Sequence, residues 1–109
     1  MIRVRFLRHE TRTVGVECSG HAGYAEAGQD IVCSAVSALV TALCNGLTEI
    51  AGIPAEVSDD GKKLVCSVET KLDPRQENDA ALLFDTFECA LDGIRREYGQ
   101  YLKINDTEV

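Results

Sequence analysis

The chain has 109 residues, 45% of them hydrophobic, with 11 lysines and arginines against 18 aspartates and glutamates, for a net charge of −7. That length is read as one domain over residues 1–109, able to bury roughly 60 to 70 per cent of the surface its unfolded form exposes. The charge argues against nucleic acid as the main partner, because phosphate binding needs clustered positive charge, and suits a basic partner instead.

Ile2, Val4 and Phe6 alternate with Arg3 and Arg5, the period of a strand with one buried face. Val14, Val16 and Cys18 repeat the pattern, and with Arg8 to Arg12 as the turn the two runs predict a hairpin. This start lacks the apolar core of a signal peptide, so nothing in it directs export. Four arginines less Glu10 leave residues 1–12 at +3 and the remainder at −10, which an edge strand guarded by charge would explain.

A loop from Ser19 to Gln29, holding Gly23 and Gly28, leads to Asp30, a good N-cap before an apolar, alanine-rich run. The helix is expected from Ile31 to about Ala51, with Gly52 and Pro54 as stop signals. Ile31 to Thr48 carries no charge and is long enough to suggest a membrane span. Ser34, Ser37, Thr41, Asn45 and Thr48 interrupt it, however, while Val32, Val36, Leu39, Leu43, Leu47 and Ile50 trace a separate apolar stripe. The central helix of a soluble domain, not a membrane helix, is expected.

Ala55 to Val57 and Leu64 to Val68 predict two strands joined at Asp59-Asp60-Gly61. Asp73-Pro74 reads as N-cap and first-turn proline, and Ala80, Leu83, Phe84, Phe87, Leu91, Ile94 and Tyr98 keep helical spacing up to Gly99. Tyr101 to Ile104 predicts a fifth strand, and disorder is expected only in Asn105 to Val109. The order β-β-α-β-β-α-β implies an α+β fold, two helices packed on a largely antiparallel sheet.

Cysteines at 18, 33, 44, 66 and 89 are odd in number and widely spaced, which fits a reducing cytoplasm better than a disulfide framework. Cys18 and Cys66 fall in strands, Cys44 and Cys89 within helices, and only Cys33 sits at a helix start. There the positive first turn favours the thiolate, the reactive form of the side chain. His21 is twelve positions upstream, and closing that loop costs roughly 2 kcal/mol. An imidazole taking the thiol proton would leave a nucleophile able to attack a carbonyl, with the free N–H groups of the helix as oxyanion donors.

Against that stands the common role of unpaired cysteine as core filler. Asp30 also has two possible tasks, capping the helix or orienting the histidine. Ser37, one turn after Cys33, could bond the thiolate or a substrate carbonyl, or bond back to the helix carbonyl four residues earlier. Three other readings compete. Cys18-x-x-His21 with Cys33 could hold a metal; Cys33 could pair with another cysteine as a redox sensor; or an acidic, non-catalytic assembly factor or chaperone could cap a basic ribosomal protein.

The run from Gly20 to Ser37, with Gly20-His21-Ala22, Gly28-Gln29-Asp30, Ile31-Val32-Cys33 and a serine four residues beyond the cysteine, closely resembles the motif of the ribosomal-processing cysteine protease (Prp) family. Ser34 stands where alanine is common. The resemblance implies a cytoplasmic endopeptidase, dimeric and needing no metal or cofactor, that removes the N-terminal extension of a large-subunit ribosomal protein precursor. Charge and helix patterning together lead to no expected direct contact with nucleic acid or membrane. Cys33 is then the nucleophile and His21 the base, with Gly20, Asp30 and Ser37 on the motif in supporting places. The loop Ala22 to Gln29 is expected to act as a lid, with Tyr24 helping to wall the cleft.

Overall fold

The computed structural model describes residues 1–26 and 29–109. Five strands form one sheet: β1 (Ile2–His9), β2 (Arg12–Ser19), β3 (Ala55–Asp59), β4 (Lys63–Val68) and β5 (Leu102–Glu108). Their spatial order is β3-β4-β2-β1-β5, every neighbouring pair antiparallel except β1 with β5. Helices α1 (Ile31–Asn45) and α2 (Pro74–Tyr98) complete the expected α+β fold.

Both helices cover one face of the sheet. Ile2, Val4, Phe6, Val14, Val16, Cys66 and Leu102 point into a core that also takes Val32, Val36, Val40 and Leu43 of α1 and Ala80, Phe84, Phe87 and Leu91 of α2. The alternate strand residues, Arg3, Arg5, Glu17 and Lys103 among them, lie on the open face. Helix α1 and the turn after it are long and apolar enough to span a membrane, but the apolar stripe is spent on this core.

Helix α2 follows its sequence signals closely. Asp73 accepts from the Gln76 amide while the Gln76 side chain accepts from the Asp73 amide, a reciprocal cap with Pro74 in the first turn. At the far end of the sheet, Arg8 pairs with Glu88 of α2 and Asp106 of β5, both at 3.0 Å, tying three elements together.

Several expectations are corrected. The first turn is tighter than Arg8 to Arg12, since β1 runs to His9 and Glu10 takes φ 58°. The arginine-rich first strand is not an edge, because β5 pairs along its outer side from Ile2↔Leu102 to Arg8↔Glu108. The segment from Asn105 is therefore ordered strand through Glu108, and the Val109 amide donates to the Arg8 carbonyl. Helix α1 ends at Asn45 and continues as a π-helical turn over Gly46–Ile50. The wider turn changes the angular step, so Leu47 stays buried while Ile50 is 85% exposed.

Candidate active site

Strand β2 ends at Ser19, and the chain turns sharply at Gly20, whose φ is +83°. A Cβ there would stand 2.2 Å from the Met1 carbonyl oxygen, so this position needs glycine twice, for its backbone angle and for the close strand crossing. His21 follows at once and is exposed; Ala22 is buried. Gly20→Ala should displace His21 and lower thermal stability by several degrees. A Tm scan beside an activity assay would check it, both falling together.

Asp30 caps α1 in extended conformation, and its carboxylate is the buried polar group of the described core. One oxygen accepts from the amides of Val32 and Cys33, both at 3.0 Å, and the other from Tyr24 at 3.1 Å and Ala25 at 3.5 Å. The same side chain thus closes the helix that carries the cysteine and gathers the loop that follows the histidine. The Cys33 amide first, with those of Ala25, Tyr24 and Val32, holds its carboxyl below the usual carboxylate pKa. Of the two tasks considered for Asp30, the geometry is that of a cap.

This arrangement narrows the expected oxyanion donors. The amides of Val32 and Cys33 are taken by the Asp30 carboxylate, and that of Ser34 by the Asp30 carbonyl at 3.0 Å. The first turn has no free amide among these three. Instead the Ala22 amide, which sequence reasoning passed over, points at Cys33 Sγ at 3.3 Å. Its only sequence signal was a small residue directly after the histidine.

His21, Cys33, Ser37, Thr41, Lys62 and Lys63 share one groove of about 400 Å³ between α1 and the turn joining β3 to β4. Both side chains line this one cleft, and among the described residues no hydrogen bond joins the His21 ring to the thiol. The Ser37 hydroxyl likewise makes no bond back to the helix; Thr48, which bonds the Cys44 carbonyl at 2.9 Å, does. Tyr24 does not line the groove: its ring sits edge-on against Tyr98 and Tyr101, with centroids 5.8 and 5.2 Å away. Part of the expected lid, Ala27 and Gly28, lies outside the described residues.

Cys18 also borders the groove, but burial pushes its thiol up to about 12; Cys66 is pushed up to about 12 in the same way, beside Cys44. Both remain neutral thiols at pH 7. Iodoacetamide at pH 7.5 should spare Cys18 and Cys66 in the folded protein while modifying exposed Cys89, as mass mapping would show. Among the described residues no three His, Cys, Asp or Glu side chains are placed to hold a metal, so Cys18, His21 and Cys33 are not gathered into one.

The sequence model of the cysteine protease Prp family matches residues 1–103. This chain belongs to that family. The ribosomal processing cysteine protease Prp of Bacillus subtilis is 32% identical over 98 residues, covering 88% of each chain. Among solved structures, an essential ribosomal processing protease Prp from Staphylococcus aureus with a covalently linked product peptide superposes at TM-score 0.87, with 24% identity, over 98% of this chain and all of that one. The same protein with a substrate peptide gives 0.82 at 22% identity, again over 98% of this chain and all of that one. The enzyme is thus a cysteine protease, and the family match over residues 1–103 takes in both His21 and Cys33.

Proposed function

We propose that this Prp family member is a cytoplasmic endopeptidase, working as a homodimer, that trims the N-terminal extension of a large-subunit ribosomal protein precursor. Cys33 attacks the scissile carbonyl and His21 takes its proton, then returns it to the leaving amine. The observation that carries this reading is the groove holding both side chains, with the Cys33 thiol at the first turn of α1 and facing the Ala22 amide at 3.3 Å.

The Asp30 carboxylate occupies the Val32 and Cys33 amides, which leaves the Ala22 N–H, at 3.3 Å, as the donor aimed at Sγ when its proton passes to His21. When sulfur bonds to the carbonyl carbon, charge passes from sulfur to the substrate oxygen. The Ala22 amide, 3.3 Å from Sγ, is then placed to donate to that oxygen, and the Ser37 hydroxyl, one turn along α1, lies within the same groove. Substrate binding brings the imidazole onto the thiol, so the free enzyme keeps its nucleophile unactivated. The relatives named for ribosomal processing supply the substrate class, and an acidic enzyme at −7 attracts a basic ribosomal protein.

Purified enzyme and the unprocessed ribosomal protein should give a single N-terminal cut, read by mass spectrometry. Cutting at many sites, or none, would overturn the substrate assignment. Ser37→Ala should lower kcat/KM roughly tenfold and leave the melting temperature unchanged, because among the described residues its exposed hydroxyl makes no hydrogen bond.

A further inference from the structure

The acidic total hides a local reversal at the end of the sheet where the catalytic loop begins. The strand registers Ser19↔Lys63, Arg3↔Ser19 and Arg3↔Lys103 set one row across four strands: Lys63, Ser19, Arg3, Lys103. With strands about 4.8 Å apart, that row is roughly 14 Å long. It carries three cations and no carboxylate, on the sheet face that neither helix covers.

Arg3 and Lys103 are direct cross-strand neighbours, both exposed, and like charges so placed destabilise a sheet. The next row shows the usual remedy: Arg5 lies opposite Glu17 and pairs with it at 3.2 Å, and Glu17 also reaches Lys63 at 3.3 Å. Among the described residues Arg3, Lys62 and Lys103 form no ion pair, although the chain has 18 carboxylates to offer. Lys62 and Lys63, with Asp59 near them, also border the catalytic groove, so the strip runs on into the site.

We propose that this strip, Lys63, Arg3 and Lys103 with Lys62 at its groove end, is a contact surface for the phosphate backbone of an RNA strand. A row of cations on a flat, open sheet matches a polyanion better than it matches a single acidic side chain. The face offers no aromatic ring for base stacking, so the contact reads backbone and not sequence. Net charge excludes RNA as a partner of the whole surface; the register of four strands makes one place where it fits. Resting on the ribosomal-protein reading above, the strip would engage RNA already carrying the substrate while the groove receives the segment to be cut.

The test is fluorescence anisotropy of a labelled 20-nucleotide single-stranded RNA with full-length enzyme and with the double variant R3E/K103E. Wild type should bind, and with about three phosphate contacts its affinity should fall roughly twentyfold between 50 and 200 mM salt. R3E/K103E should lose at least tenfold in RNA affinity, yet cleave a short extension peptide as fast as wild type and melt no lower. No RNA binding by wild type, or equal binding by the variant, would overturn the proposal. So would preference for polyglutamate or for vesicles of anionic lipid over RNA. Peptide cleavage is read separately, so failure of the RNA contact and failure of the protease assignment give different results.

Discussion

Cys33→Ala is expected to abolish cleavage of the ribosomal protein precursor, with kcat/KM falling by about 10⁴-fold or more. The variant should keep its fold and its affinity for the precursor, because Cys33 is half-buried and among the described residues its thiol accepts one hydrogen bond, from the Ala22 amide. His21→Gln should cost about 10² to 10⁴-fold, the worth of a general base, with no loss of stability from an exposed side chain. Residual rates would separate the two, since only the histidine variant keeps a sulfur nucleophile. Equal activity of wild type and Cys33→Ala would sink the cysteine mechanism here. Tight precursor binding with no cutting by either would favour the non-catalytic assembly factor.

The largest effect on the fold around the site is expected at Asp30. Replacing it with alanine removes the cap of α1 and leaves the four amides of Tyr24, Ala25, Val32 and Cys33 without their acceptor. Loss of a cap together with stranded donors should lower the melting temperature by roughly 10 °C. Activity should fall with it, because the loop after His21 and the helix bearing Cys33 lose their common tie. Asn, which keeps one acceptor oxygen, should restore the helix cap more fully than the loop contact. That predicts a variant closer to wild type in stability than in activity, read by calorimetry beside a cleavage assay; equal recovery of both would argue against the tie. The pH dependence has a definite sign. The carboxyl is held below its ordinary value, so its contribution is present above the usual carboxylate range and is lost as pH falls below it.

Local features were legible wherever chemistry is local. The Asp73 cap with Pro74 behind it, the period of α2 and the cap at Asp30 are set by residues a few positions apart, and the structure holds them as expected. The Gly20 to Ser37 run pointed to the family, because a glycine turn, a histidine and a capped cysteine make a local pattern. Tertiary choices were not legible. Whether β1 is an edge depends on β5, nearly a hundred residues later, and its polar tail reads as disordered until the pairing with β1 supplies partners for its backbone. Ile50 fits the helical stripe and still faces solvent, because a π-helical turn is a packing outcome.

The site divides along the same line. The sequence by itself determined which residues have reactive chemistry and which helix start carries the cysteine, since capping, charge and loop length act over short stretches of chain. Only the tertiary structure decided that Asp30 takes the Val32 and Cys33 amides, that the Ala22 amide stands beside Sγ, that Tyr24 turns to Tyr98 and Tyr101, and that cations far apart in sequence form one row. Hydrogen bonds and strand registers between distant segments carry no periodic mark in the sequence; each is fixed when the sheet and helices pack and every buried polar group must find a partner.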